Sequence, residues 1–399
     1  MKMITKRGIF LWILAVAFLF GLGFMTYSLV ENGDTWVMKT YNTHIYKNGD
    51  LIGAGTIKSA DGAVLAETKD GKRVYAEDPT VRKATLHTVG DTKGFISSGI
   101  QSVYKADLTG YNLLFGVYSI ERYGKGNNMR LTIDSRVCAK AYSLLSDYKA
   151  GTVGVVNYKT GDIVCAVSTP SYDMEDEPSD LNTNSAYEGV YINRLMTGLY
   201  TPGSTFKLVS ATAGLAENVI TTSDQIRCTG IYNDISNKPK CWIYPSSHGT
   251  IGVVKAIEVS CNVFFYETAY RLGSMSNGTY SDSEALERLK KYGDMYGLTS
   301  KSGVEVEESA PLFSTTSGVA SAIGQGSHSF TGVQLARYVN TIASNGVNYE
   351  LTLIDKVVDV NGNEQTAAEK SQTKLAVADS TISTIQQGMK SAADSTNYG

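Results

Sequence analysis

One run of residues limits what this chain can be before any other stretch is read. Gly8 to Val30 is 23 residues without a charge. As a helix rising about 1.5 Å per residue it would reach roughly 34 Å, enough for a hydrocarbon core about 30 Å thick. Lys2, Lys6 and Arg7 stand at its start, a pattern that keeps the first residues in the cytoplasm and sends the remainder outside. A cleaved signal peptide has an apolar core of only about 7–15 residues and a small-residue cleavage site; neither matches here. We expect a cytoplasmic tail at 1–7, an uncleaved signal anchor at 8–30, and the rest of a single-pass cell-membrane protein on the extracytoplasmic side.

Beyond the anchor the composition is that of a globular protein: 42% hydrophobic, 19% charged, net charge −3. A nucleic-acid-binding surface needs a basic excess, so that class is excluded. The chain has five cysteines and four histidines, but no C-x-x-C pair and no His cluster, so no metal site is expected. Cys138 and Cys165 read as buried small hydrophobes. Cys228 and Cys241 bracket the polar loop Thr229 to Lys240 and, in an oxidising space, would close it as a disulfide.

Length suggests two folded parts. Residues 31 to 45 read as a polar stalk. Residues 46 to 130 read as a small α+β domain of short strands, with hairpin signals at Asp61-Gly62 and Asp70-Gly71. Val74-Tyr75 and Leu86 to Val89 fit the same strand pattern. The character changes at Asn128 to Ile133, a strand leading into a helix, Ser135 to Tyr148, with Asp134 as its N-cap. Thr152 to Val156 and Ile163 to Ser168 then flank a Lys159-Thr-Gly-Asp162 turn, and 171 to 187 is an acidic loop.

The chemistry gathers at Gly198-Leu-Tyr-Thr-Pro-Gly-Ser-Thr-Phe-Lys207. Pro202 and Gly203 stop a preceding helix and permit a tight turn, so a helix is expected from about Ser204. Residues i and i+3 share a helix face, which sets the Ser204 hydroxyl beside the Lys207 ammonium. A serine needs a base to become a nucleophile, and a lysine in a dry site can supply one. An N-cap serine followed by a solvated lysine has the same spelling. Downstream, Gly252 to Tyr270 reads as one helix carrying Ser260 and Asn262 in an apolar run, where buried polar groups need partners. Further helices are expected at 282–296, 332–345 and 382–393, with strand-like segments at 304–306 and 349–360.

In order, these motifs resemble those of class B penicillin-binding proteins, the peptidoglycan D,D-transpeptidases, of the short type with a small membrane-proximal domain. Asn193 and the Gly198–Lys207 stretch match the family's nucleophile segment, and Ser260-Cys261-Asn262 its S-x-N box. Ile323-Gly-Gln-Gly326 with Thr331 and Gln334-Leu-Ala336 matches a helix start, and Asn157 to Ile163 with Thr169 to Tyr172 the first hairpin. The resemblance implies an α/β protein of the α+β type: a serine transpeptidase fold at 131–399, an antiparallel sheet flanked by helices. It implies Ser204 as nucleophile, Lys207 as base, Ser260 as proton relay, Asn262 as substrate-orienting amide, and Gly324, Gln325 and Gly326 in substrate binding. It implies no cofactor, with Cys261 packing as a small apolar residue. The implied ligands are stem peptides ending in D-Ala-D-Ala and β-lactams, and the implied partner is a glycosyltransferase.

The family also has a Lys-Ser/Thr-Gly box after the Gly-Gln-Gly segment. Lys159-Thr-Gly161 comes too early and Lys301-Ser-Gly303 closes a helix; both read as turns. The box is expected a few tens of residues beyond Ile382 to Lys390, so a fold incomplete at its C-terminus is expected. The alternatives are a penicillin-binding scaffold that naturally lacks the box, and a serine β-lactamase or β-lactam sensor.

Overall fold

Ten turns of helix open the chain, Lys2–Val37, in a computed structural model that describes all residues except 1, 40, 44, 48–49, 52, 114–115, 118–125, 277, 360, 367–369 and 396–399. The last residue of the strand expected at 349–360, and the final four of the chain, thus lie outside the described residues. From Lys6 to Val37 the helix is long and apolar enough to cross a membrane, and its apolar window is entirely unburied. It also overruns the expected stalk. Glu31 to Asp34 contain no proline, and extending an existing helix costs far less than starting one.

The two hairpin signals behave as read. Val64–Lys69 and Lys72–Tyr75 pair antiparallel, and Asp70 and Gly71 both take positive φ between them, as a two-residue turn requires. Leu86 to Val89 does not: it lies in the helix Pro79–Val89. The Asp78 side chain accepts from the Thr80 N–H and Pro79 takes the first helical position, a start signal that outweighs the β-branched residues at its end.

Six strands form the main sheet, ordered Glu364–Thr366, Ile354–Val358, Asn128–Leu131, Ile57–Lys58, Val64–Lys69, Lys72–Tyr75. Only Ile57–Lys58 and Asn128–Leu131 run parallel; the other pairings are antiparallel. The sheet therefore crosses the boundary expected at 130/131. Beside it, Gly151–Val156 and Ile163–Thr169 form the expected antiparallel pair, covered by the helix Ser135–Leu145, which Asp134 caps at Arg136 and Val137. Ile57, Leu65, Met129, Leu131, Cys138, Cys165 and Val167 are buried together, so the two halves share one core.

A second core is mostly helical. Lys207–Ala216, Val253–Glu258, Asn262–Gly273, Asp282–Met295, Gly332–Ala343 and Asp379–Asp394 close on Phe206, Val209, Ile257, Phe264, Phe265, Tyr296, Tyr338 and Ile385. Three corrections follow. The helix expected over Gly252 to Tyr270 is two, parted at Val259–Cys261, where Ser260 adopts φ +52°. The strand expected from Tyr349 is also two pieces, Val347–Tyr349 and Ile354–Val358, while 304–306 joins no described strand. The C-terminal helix braces the first half of that broken pair of helices: a Cβ at Gly388 would stand 2.7 Å from Ile257 Cβ.

Candidate active site

The backbone reaches Ser204 along a short strand, Leu199–Tyr200, paired with Phe330–Thr331. Gly203, at φ +57°, turns it into one 3-10 turn, Gly203–Phe206, and the α-helix Lys207–Ala216 follows directly. The expected helix thus begins as a tighter turn, and Ser204 stays open to solvent while Lys207 turns inward. Three contacts hold this turn. The Gly203 N–H donates to the Gly324 carbonyl at 3.0 Å. Tyr338 donates its hydroxyl to the Thr205 carbonyl at 2.9 Å, and Ser210 to the Ala322 carbonyl at 2.7 Å. Beneath them Phe206 is buried against Phe313, His328 and Phe330, with ring centroids 4.3–6.4 Å away.

Gly324 sits at φ +73°, and a Cβ there would lie 1.9 Å from the Gly203 carbonyl oxygen. Its absent side chain is what lets the Gly-Gln-Gly segment clamp the nucleophile turn. Gln325 and Gly326 lie next to it, with Gln325 exposed. Burial pushes the His328 pKa down to about 4. Its Nδ1 accepts from the Ser314 N–H at 3.1 Å, so Nε2 carries the proton and donates to the Ser321 carbonyl at 3.3 Å. Sequence alone does not single out His328 and Tyr338, because neither belongs to a motif and both act by packing.

Lys207 is 2% exposed. Its Nζ lies 3.1 Å from Ser204 Oγ, 2.9 Å from Ser260 Oγ, 2.7 Å from the Ser260 carbonyl and 2.6 Å from Asn262 Oδ1. The left-handed backbone of Ser260 is what aims that carbonyl at the amine. Burial lowers the Lys207 pKa from 10.5 to about 8, against the opposite pull of Cys241 and Cys261. An ammonium has three donors and no acceptor, yet four oxygens crowd it. As an ammonium it donates to the carbonyl and the amide oxygen, which only accept, and shares its third N–H between the two hydroxyls; the lowered pKa puts loss of that proton within reach near neutral pH. The four catalytic residues expected from sequence therefore meet at one amine.

The two early Lys-Ser/Thr-Gly matches are engaged elsewhere. Thr160 donates to Asp162 within its hairpin. Ser302 is held by Glu308 through its N–H and hydroxyl, and the Lys301 carbonyl by Arg337. Asn193 is structural: its amide donates to the His87 carbonyl and accepts from Met196.

The disulfide expected between Cys228 and Cys241 is not formed; all five cysteines are free thiols. No metal site is expected from the sequence, yet potential ligand atoms do gather in the fold. Cys228, Cys241, His248 and Cys261 bring their donor atoms within 4.8 Å of one another. Cys261, the middle residue of the S-x-N box, is buried in the second core, as a small apolar residue would be, and its sulphur lies 4.0 Å from that of Cys241. Its neighbour Cys241 has its pKa lowered by hydrogen bonding from Cys261, with the backbone amides of Val263, Ile243 and Asn262 assisting.

Comparison with known proteins agrees with this geometry. The profile of the penicillin binding protein transpeptidase domain matches residues 151–399. Penicillin-binding protein 2B of Streptococcus pneumoniae is 27% identical over 334 residues, covering 75% of this chain and 47% of that protein. Peptidoglycan D,D-transpeptidase MrdA of Haemophilus influenzae is 27% identical over 323 residues, covering 70% and 45%. The chain thus spans about half the length of the curated relatives it matches. Among solved structures, Pseudomonas aeruginosa PBP2 in complex with WCK 5153 superposes with a TM-score of 0.69 at 22% identity, over 86% of this chain and 83% of that one. The imipenem acyl-enzyme of penicillin-binding protein A from M. tuberculosis gives 0.68 at 20%, over 85% and 81%. These two establish a shared fold.

Proposed function

Because the chain belongs to the penicillin-binding protein transpeptidase family, we propose that it cross-links peptidoglycan as a serine D,D-transpeptidase and is acylated by β-lactams. The observation that carries the reading is the buried Lys207 amine 3.1 Å from an exposed Ser204 hydroxyl. Ser204 Oγ attacks the carbonyl of the penultimate D-alanine of a stem peptide, and its proton passes to Lys207 Nζ. The backbone N–H of Ser204 is one donor to the oxyanion that forms. Ser260 Oγ, 2.9 Å from Nζ, relays a proton to the departing D-alanine nitrogen as the peptide bond breaks. The resulting ester is taken by an amine of a neighbouring stem, or by water. Asn262 is fixed through Oδ1 to Lys207, and its Nδ2 spends one hydrogen on the Lys240 carbonyl at 3.5 Å, leaving the other to orient substrate. Gln325 and Gly326 follow Gly324, whose carbonyl accepts from the Gly203 N–H, and we read them as contributing to substrate binding.

We read the apolar helix from Lys6 to Val37 as a membrane anchor, with the catalytic part outside, where stem peptides are. Strand polymerisation falls to a glycosyltransferase partner, and co-purification from solubilised membranes tests that point. For the site, the test is labelling of the full chain with a fluorescent penicillin. Ser204→Ala should abolish covalent labelling, and labelling that persists in the variant would refute the assignment. Rapid release of hydrolysed penicillin would instead favour a β-lactamase.

A further inference from the structure

We propose that the small domain rests on the bilayer itself, with Leu113 and the last turn of the first helix, from Gly33 to Trp36, lying among the lipid headgroups. The inference rests on reading the apolar helix as a membrane anchor. That helix, Lys2–Val37, runs from its apolar stretch into the domain without a break. Its end is built into the fold instead of being joined to it by a linker. Met38 is buried in the core around the main sheet, and its carbonyl accepts from the Tyr46 hydroxyl at 3.2 Å. The Val37 carbonyl accepts from the Asn42 side-chain amide at 3.0 Å. A domain fixed to its anchor in this way cannot swing clear of the membrane, so the surface around the helix exit must meet lipid.

A hairpin leans on that exit. Its arms are Tyr111–Asn112 and Gly116–Val117. A Cβ at Gly33 would stand 2.7 Å from Tyr111 Oη, 3.4 Å from Leu113 Cδ1 and 3.6 Å from Leu29 Cδ1. The glycine is what lets the hairpin reach the helix, one turn beyond the apolar Leu29. Heights follow from helix geometry. The uncharged run reaches roughly 34 Å against a hydrocarbon core of about 30 Å, and the headgroup layer adds about 5–8 Å on each side. With Val30 at the core boundary, Gly33 stands about 4–5 Å above it and Trp36 about 9 Å, inside that layer and at its outer margin. The side chains suit those depths. Trp36 is 50% exposed, Leu113 43% and Val103 41%, and large apolar side chains left open together mark a contact surface. Tryptophan is enriched at this level because it joins an apolar body to one N–H donor. Turns favour Gly, Asn and Asp, whereas Leu113 follows the first arm here. Val103 borders a recess of about 370 Å³ with Asp34, Met38, Lys39 and Lys105, which sets two ammonium groups at the level of lipid phosphates. Depth favours lipid over a protein partner, since these groups lie in the headgroup layer whatever else is bound.

The consequence is a fixed tilt. A helix alone lets a domain rotate and lean, whereas helix and hairpin together give two points of contact. Leu65, Met129 and Val167 share one core, so the tilt set at Leu113 carries through to the half of the chain that holds Ser204.

The test uses the full chain reconstituted in phosphatidylcholine–phosphatidylglycerol liposomes free of other proteins. An environment-sensitive fluorophore is attached at Leu113→Cys; the five native cysteines are buried, and the unsubstituted chain measures their background. Lipids carrying a nitroxide in the headgroup or high in the acyl chain should remove about half of its emission, as for a group inside the headgroup layer. The same label at Ser223→Cys, exposed in the catalytic half, should keep its emission. Equal emission loss at the two positions, or none at Leu113, would overturn the contact. A second reading leaves Leu113 untouched: with Trp12→Phe and Trp242→Phe, Trp36 is the sole tryptophan, and brominated lipids should quench it. Trp36 emission at the water-exposed maximum and indifferent to bromine would also overturn the contact. A label at Gly21→Cys, where a side chain meets nothing within 4 Å, separates this inference from the anchor. Gly21 deep in lipid beside an unquenched Leu113 would overturn this inference alone, and Gly21 open to a water-soluble quencher would overturn the anchor and this inference with it. A Leu113 label shielded from water only after other membrane proteins are added would assign the face to a protein and overturn the lipid contact.

Discussion

Replacing Lys207 by arginine isolates the step on which the proposed chemistry depends. Arginine keeps a cation and its donors at the site but cannot give up a proton near neutral pH. Lys207 can, because burial brings its pKa from 10.5 to about 8, the nearby Cys241 and Cys261 opposing the shift. At pH 7 about 9% of such a lysine is the free amine, against about 0.03% for an unshifted one, roughly a 300-fold gain in competent base from this lowering. The active form is the deprotonated one, so activity falls as pH drops through the folded value. The second-order rate of acylation by a fluorescent penicillin, measured by quenched-flow labelling, should climb about tenfold per pH unit well below that value. It should flatten above about 8, where the amine is mostly free. Lys207→Arg should lose about 100- to 10,000-fold, the range for removing a general base, with no recovery on raising the pH. A wild-type rate independent of pH across that range, or an arginine variant that acylates normally, would refute Lys207 as the base.

Three further substitutions probe the scaffold. Gly324→Ala puts a Cβ 1.9 Å from the Gly203 carbonyl at φ +73°; it should cost on the order of 3 kcal/mol by overpacking and backbone strain and depress penicillin labelling, read by thermal unfolding and gel fluorescence. Phe206→Ala empties the centre of the ring cluster under the nucleophile turn and should cost about 3–5 kcal/mol in denaturant unfolding. Gly388→Ala drives a methyl into Ile257 across the helix pair; a loss of about 1–3 kcal/mol is expected, and a neutral melting curve would show that the C-terminal helix does not brace the S-x-N helices.

Much of the site is readable in the chain because its chemistry is written locally. Ser204 and Lys207 are one turn apart, and Ser260 and Asn262 flank a single residue. Features that depend on distant neighbours are hidden from such a reading. Cys228, Cys241, His248 and Cys261 follow no compact ligand pattern; a strand pairing and a helix break bring them together. That break has no proline or glycine to announce it, since Ser260 takes the left-handed region under the hold of Lys207. Leu86 to Val89 misleads for a different reason. Its residue types favour a strand, and the Asp78-Pro79 start signal several residues earlier overrides them.

The order of strands in the main sheet also sets a schedule for making the protein. Asn128–Leu131 finds its antiparallel neighbour only at Ile354–Val358, and Thr132 Oγ1 reaches the Thr352 carbonyl across 220 residues of sequence. A ribosome adds about 5–20 residues per second, so that edge waits roughly 10–45 s for its partner. Through the whole interval its ladder groups are open to the wrong strand, from this chain or another. A nascent chain with so late a closure is one that must be held apart from its neighbours, and its yield should depend on what holds it as much as on the stability finally reached.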